Sequence, residues 1–215
     1  MPERTPPDAG SGQVQVFVVD DEEQVLNVVR RMLEKAGYRV AAFRSADELL
    51  ARPDMLPPCC VLLDVNMPGM SGLEAQEKLS GREASPRIVF MSGGSSIPIS
   101  VQAMKGGAVD FLEKPFPREA LLAAVRTAID ASERDFAVLR RRTAARERLD
   151  RLTPREREVC EAVVRGLRSR EIAAELGAAE KTVNIHRSNA MRKLQVETVA
   201  ELIALVGESS APHRA

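Results

Sequence analysis

VQVFVVDDEE, residues 14–23, decides the fold. Its first six residues form an apolar run rich in β-branched side chains, and Asp20 and Asp21 end it abruptly. Such a run reads as a strand buried on both faces. The pattern then becomes helical. Val25, Leu26, Val28, Val29, Met32 and Leu33 share one face of a helix over about 22–36, and Gly37 stands where a helix C-cap belongs.

The alternation continues outward from this unit. Further strands are expected at 38–43, 59–63, 87–91 and 109–112. Helices are expected at 45–51, 72–79 and 97–105, with one more starting near Pro117, a favoured early helix position. Five strands alternating with helices predict an α/β domain: a parallel five-stranded sheet covered on both faces. In such sheets, sites form beyond the carboxyl ends of the strands. Asp20, Asp21, Asp64, Ser92 and Lys114 all follow predicted strands, so they are expected to meet at one edge.

That set has a chemistry. Three carboxylates held close repel one another, and a divalent cation relieves the repulsion. Oxygen-only ligands favour a hard ion, and Mg²⁺ uses one or two carboxylates while keeping waters. Lys114 and Ser92 suit phosphoryl oxygens. Asp64, alone on its strand, is the expected nucleophile for an aspartyl phosphate, with Asp20 and Asp21 as metal ligands. Taken singly, Asp21 reads equally well as a helix N-cap and Lys114 as a solvated surface residue. Five such residues at the ends of four strands make that bland reading improbable.

The same residues carry a resemblance. VVDDEE, LLDVNMPGMSG, FMSGGSS and MKGGAVDFLEKPF, in that order, resemble the receiver domain of bacterial two-component response regulators over about 13–130. The resemblance implies a flavodoxin-like (βα)5 fold. It makes Asp64 the phosphoacceptor and Asp20 and Asp21 the acidic pair for Mg²⁺. It makes Asn66 a backbone-carbonyl ligand alongside Asp64, Ser92 the switch hydroxyl and Lys114 the phosphate-binding lysine. Phe111 matches the switch aromatic, and the Lys114–Pro115 bond is cis in the family. A phosphoryl group on Asp64 would draw Ser92 toward it, and Phe111 would move into the vacated space. That would bias a two-state equilibrium on the face of the fourth helix, fifth strand and fifth helix.

The chain has 215 residues, 44% hydrophobic, with 31 basic and 31 acidic side chains. That length allows two modest domains. No apolar run is long enough to span a membrane. Residues 1–12 are polar, with no apolar segment after a basic start, so they read as a disordered tail rather than a secretion signal. Three cysteines, two of them adjacent, make no disulfide framework, and a reducing cytoplasm is expected. The neutral total hides an asymmetry. Residues 1–130 hold 14 basic and 18 acidic residues, net −4, and residues 131–215 hold 17 and 13, net +4. An acidic half before a basic half fits two domains with different partners.

No Gly or Pro occurs from Arg118 to Thr153. Residues 118–149 therefore read as one helix, with 131–147 as a helical linker. Leu122, Val125, Ile129, Phe136 and Leu139 fall near heptad spacing, with Ser132 as a weak place. Either a dimerising helix or a spacer fits.

From Leu152 the pattern is all-α. Thr153, Pro154 and Glu156 are a helix start signal. Gly166 ends that helix, with Val159, Val163 and Leu167 on its inner face. Ser169 is expected to cap a short helix that Gly177 stops. A longer helix over 180–194 puts Val183, His186, Ala190 and Leu194 inside. Thr198 caps a last one with Leu202, Ile203 and Val206. Residues 209–215 read as a mobile tail. A short helix, a turn and a longer helix is helix-turn-helix geometry. A plain four-helix bundle with a basic face is the alternative from pattern alone.

LTPREREVCEAVVRG (152–166) and REIAAELGAAEKTVNIHRSNAMRKLQV (170–196) resemble the LuxR-type DNA-binding domain, over about 148–210. Family members usually carry Asn and Lys where this chain has Ser169 and Arg170, and often a basic residue at Asn184. The resemblance places Asn184, Ile185 and Ser188 toward bases, where Asn can pair with adenine, and Lys181 and Arg187 toward phosphates. Thr182 and Lys193 complete the expected DNA-binding set.

The domain order resembles the FixJ/NarL-type response regulators, with the FixJ-like branch closer. It implies a phosphorylation-controlled transcription regulator, not an enzyme. Its implied partners are a histidine kinase, double-stranded DNA, RNA polymerase and, when phosphorylated, a second copy of itself. The dimer would read half-sites about one helical turn apart. Two rivals stand beside this reading. An aspartyl-type phosphatase needs an acid two residues after its nucleophile, and here that place is Asn66. A constitutive DNA-binding protein with a vestigial receiver conflicts with the intact Asp20, Asp21, Asp64 and Lys114.

Overall fold

The computed structural model describes residues 16–52, 58–81, 85–94 and 97–210. They fall into two compact units, one running up to Phe136 and the other from Ala137. Residues 14, 15, 1–12 and 211–215, about which expectations were raised, lie outside the described residues.

The first unit holds strands β1 (Val16–Val19), β2 (Val40–Phe43), β3 (Cys60–Asp64), β4 (Arg87–Ser92) and β5 (Asp110–Glu113). Helices α1 (Glu23–Glu34), α2 (Ala46–Leu50), α3 (Gly72–Ser80) and α4 (Ile97–Lys105) alternate with them. The sheet is parallel with order β2-β1-β3-β4-β5. That is the flavodoxin-like order, which reverses direction at β1 and β3. All residues of β1 and β3 are buried, which explains their unbroken apolar runs.

Alternate strand residues feed two cores. Phe17, Val19, Val61, Leu63 and Phe90 pack with α2 and α3. Val16, Val18, Leu62, Val89 and Met91 pack with α1 and with the first part of α5 (Arg118–Leu149). Helix α1 buries Leu26, Val29 and Leu33, whereas Val28 is 52% exposed. The apolar face expected there was one residue too wide. Gly37 takes φ +90° just past α1, where Tyr38 N–H closes back on the Leu33 carbonyl. Strand β2 begins only at Val40, because those two residues complete the helix end.

Helix α5 is continuous over 32 residues. Its buried face in the first unit is Leu121, Ala124, Val125, Ala128 and Ile129. This is the 3–4 spacing of a helix laid on a sheet. Ser132 continues that face, fully buried, and its Oγ accepts from the Cys59 N–H at 3.0 Å. It is a specific contact to the start of β3, not a weak place in a heptad. One turn on, Asp135 pairs with Arg87 at the start of β4.

The second unit contains the end of α5, α6 (Pro154–Val164), α7 (Ser169–Glu175), α8 (Glu180–Leu194) and α9 (Val199–Ser210). Thr153 and Glu156 form the expected capping box. The core joins Ala145, Val159, Val163, Ile172, Val183, Ala190, Leu194 and Leu202. Three expectations fail here. The residue before α7 is Arg168, whose N–H donates to the Glu171 carboxylate, so Ser169 is the first helical residue and not the cap. Ile203 is 47% exposed, with Leu205 buried in its stead. Helix α9 runs through Ser210, so Ser209 and Ser210 are helical rather than part of a tail. Among the described residues, no helix is long and apolar enough to cross a membrane.

Candidate functional site

Parallel β1, β3, β4 and β5 end on one edge, and that edge gathers the expected residues. Asp20, directly after β1, is fully buried. Asp64, the last residue of β3, is 4% exposed. Lys114, directly after β5, reaches between them. Its Nζ donates to Asp20 Oδ2 at 2.6 Å and to Asp64 Oδ1 at 2.7 Å. The remaining carboxylate oxygens are held by backbone. Glu22 N–H donates to Asp20 Oδ1 at 3.0 Å, and Asn66 N–H donates to Asp64 Oδ2 at 2.8 Å. The two acids are thus fixed in place by their own strand ends.

Burial dominates the electrostatics. It pushes the Asp64 carboxyl above the usual range, against the opposing pull of Lys114, and Asp20 adds to the rise. Burial would also depress Lys114, but the two carboxylates outweigh it and hold that ammonium above its ordinary value. Two buried carboxylates therefore share the Lys114 ammonium and remain under-compensated.

Asp21 does not complete the cluster as expected. It is half-buried, and among the described residues no three His, Cys, Asp or Glu side chains converge as a metal-binding group. The donor set still fits a hard divalent ion. It consists of oxygen ligands with excess negative charge, and one or two carboxylates suffice for Mg²⁺.

Ser92 ends β4, fully buried. Its carbonyl accepts from the Lys114 N–H at 2.7 Å, which locks β4 and β5 together at the site. Phe111, on β5 beside Phe90, is half-buried, with the two ring centroids 6.2 Å apart. The Lys114–Pro115 bond is cis. Gly72 opens α3 directly under the acceptor. Its N–H donates to the Val65 carbonyl at 3.0 Å, and a side chain there would collide with the Asp64 carbonyl oxygen. Sequence reading did not single out Gly72 for this site, because its partner is a backbone atom eight positions earlier.

Next to the site, α4 shows an apolar row on its outer face. Ile97, Val101 and Met104 are 81%, 45% and 47% exposed at helical spacing.

The second candidate surface is α8. Lys181, Thr182, Asn184, Ile185 and Ser188 are exposed, and Arg187 is half-buried. Ile185 is 52% exposed. Lys193 is engaged differently. Its Nζ donates to the buried Glu156 carboxylate at 2.6 Å, tying α8 to α6. His186 is half-buried on the inward side. Asn184 Oδ1 accepts from Ser169 Oγ at 2.7 Å, a contact between α7 and α8 that the sequence pattern did not reveal.

Two stretches of the chain match known families. Residues 16–126 match the response regulator receiver domain, and residues 150–206 match the luxR family of bacterial regulatory proteins. The chain is 39% identical over 192 residues to nodulation protein W of Bradyrhizobium diazoefficiens, covering 88% of this chain and 84% of that one. It is 37% identical over 190 residues to the transcriptional regulatory protein FixJ of Azorhizobium caulinodans, covering 88% and 90%. Among solved structures, the response regulator StyR superposes with TM-score 0.80 at 39% identity, over 92% of this chain and all of the other.

Proposed function

The chain belongs to the response-regulator family, a receiver domain followed by a luxR-type DNA-binding domain, and on that premise we propose that phosphorylation of Asp64 governs DNA binding through α8. The protein is a transcription regulator, not an enzyme. The supporting observation for the site is the Asp20–Lys114–Asp64 bridge at 2.6 and 2.7 Å.

The chemistry follows from that bridge. An Asp64 oxygen attacks phosphorus, and the bond to the donor breaks, the donor leaving with the electron pair. A histidine kinase supplies the phosphoryl group. The nucleophile must be ionised, so acidification slows the reaction. Lys114, already beside Asp64 Oδ1, turns to the phosphoryl oxygens as they arrive. Receiver domains use Mg²⁺ for this step. Here Asp20 and Asp64 would hold it, with Asp21 and the Asn66 carbonyl as further ligands, and it would offset charge on the phosphoryl oxygens.

The new dianion then needs donors. Ser92, at the end of β4, supplies a hydroxyl, and Phe111 on the neighbouring strand fills the space it leaves. The apolar row on α4 lies on the face this rearrangement reshapes. A second copy of the phosphorylated chain covers it, giving the homodimer that places two α8 helices on paired half-sites. On α8, Lys181 and Arg187 meet phosphates, and Thr182, Asn184, Ile185 and Ser188 face bases. Lys193 joins the DNA-binding set only by giving up Glu156. Contact with RNA polymerase and a cytoplasmic location belong to the same proposal. So do the boundaries 13–130 for the receiver, 131–147 for the linker and 148–210 for the DNA-binding domain.

The direct test is labelling with acetyl phosphate and Mg²⁺, followed by peptide mapping of the acyl phosphate. The proposal expects the label on the peptide containing Asp64, lost in Asp64→Ala. Label elsewhere, or none in wild type, would refute it.

A further inference from the structure

The Ser169–Asn184 contact has a consequence for what α8 reads. Asn184 is exposed on α8, one turn before Ser188 and beside Ile185. Its carboxamide carries one acceptor oxygen and two N–H donors. The oxygen is already engaged, because Ser169 Oγ donates to Oδ1 at 2.7 Å. Ser169 is itself fixed, as the first residue of α7, whose N-terminal turn is closed by Glu171 accepting from the Arg168 N–H at 2.7 Å. The hydroxyl therefore comes from a rigid neighbour and orients the amide.

This matters because the two purines ask different things of an amide. Adenine shows an N7 acceptor and an N6 donor in the major groove, so pairing with Asn uses oxygen and nitrogen together. Guanine shows two acceptors, N7 and O6. The amide oxygen has a second lone pair, but the Ser169 hydrogen bond turns that oxygen toward α7, whereas pairing with adenine asks the oxygen and the NH₂ to face the base edge together. The Asn184 NH₂ group stays free to donate to guanine.

We infer that Ser169 and Asn184 form a specificity-determining pair: Ser169 holds the Asn184 amide oxygen, so Asn184 acts as a donor and favours guanine over adenine at its base position. This rests on the reading of α8 as the helix that enters the major groove. Ser169 is a positioning residue, acting through Asn184 with no base contact of its own.

The test is selection from a random double-stranded DNA pool by the full chain, treated with acetyl phosphate and Mg²⁺. Wild type, Ser169→Ala and Asn184→Ala are compared base by base. Asn184→Ala locates the position by flattening it. At that position wild type prefers guanine to adenine by about tenfold, the scale of one good base contact. Ser169→Ala lowers that ratio to about threefold or less by admitting adenine, and leaves the other positions and the non-specific affinity unchanged. Ser169→Ala with the wild-type ratio intact would reduce the contact to a tether between helices and overturn the inference. So would a wild-type preference for adenine at the position that Asn184→Ala flattens. If wild type enriches no sequence at all, the reading of α8 itself fails and takes the inference with it, an outcome distinct from the first two.

Discussion

Replacing Lys114 with Met isolates the energetics of the bridge. The side chain keeps most of its length and loses its charge. Asp20 and Asp64, fully buried and 4% exposed, then face each other without the ammonium at 2.6 and 2.7 Å. At those separations and an effective dielectric constant of about 20, each attraction is roughly 6 kcal/mol before desolvation. Desolvation of three charged groups cancels most of that, so the net loss on removing one partner is about 3–5 kcal/mol. Against a whole-domain stability of about 5–15 kcal/mol, this is a large fraction. The chain's single tyrosine, Tyr38, packs against the receiver core, and there is no tryptophan. Tyrosine fluorescence during urea unfolding therefore reports the receiver alone. The deficit must also depend on pH in one direction. With the cation gone, burial and the neighbouring Asp20 charge raise the Asp64 pKa further, so the native state binds a proton the unfolded state has released. The deficit is therefore largest near neutral pH and shrinks as pH falls toward the ordinary carboxylate range. Adding Asp64→Asn to Lys114→Met should recover about half the loss, since an amide carries no charge to bury. A loss under about 1 kcal/mol at neutral pH, or one that does not shrink on acidification, would show that the bridge does not hold the site together.

Gly72→Ala should cost about 1–3 kcal/mol of receiver stability and slow acetyl phosphate labelling, because the added methyl meets the Asp64 carbonyl and the Phe90 ring; rates and urea midpoints measure both. Phe111→Ala should leave labelling of Asp64 intact but abolish its effect on dimerisation, read by mass in solution with and without phosphodonor. Glu156 is held below its ordinary pKa by Lys193 first and by the Thr153 N–H next. Its contribution to the second unit is therefore present above the ordinary Glu value and lost as pH falls through the lowered one. Glu156→Gln should remove that acid dependence and cost on the order of 1 kcal/mol, followed by far-ultraviolet circular dichroism. Lys181→Ala should weaken binding to all DNA sequences and lower the salt slope by about one.

The sheet edge was legible because a polar residue closes the apolar run at the ends of β1, β3, β4 and β5, and a parallel sheet brings those ends together whatever the strand order. Asp20, Asp64, Ser92 and Lys114 needed nothing more. What stayed illegible depends on direction or on distance along the chain. Asp20 and Asp21 are indistinguishable as letters, and only the fold shows that Asp20 is fully buried and Asp21 half-buried. Val28 sits in a run of apolar residues, and how much of it a helix buries depends on the sheet beneath. Ser132 looked like a gap, because its partner Cys59 is 73 residues away. The pairing of Lys193 stayed hidden for the same reason, its Glu156 being 37 residues earlier. Ser169 looked like a cap by residue type, and its bond to Asn184 crosses a turn that periodicity does not describe.

The measurement that tests the central claim most directly is DNA affinity and mass in solution, with and without acetyl phosphate plus Mg²⁺, on wild type and Asp64→Ala. The account predicts that phosphodonor drives dimerisation and tightens DNA binding in wild type and does neither in Asp64→Ala. Equal binding by untreated wild type would contradict it, and would make the receiver a bystander to the DNA-binding domain.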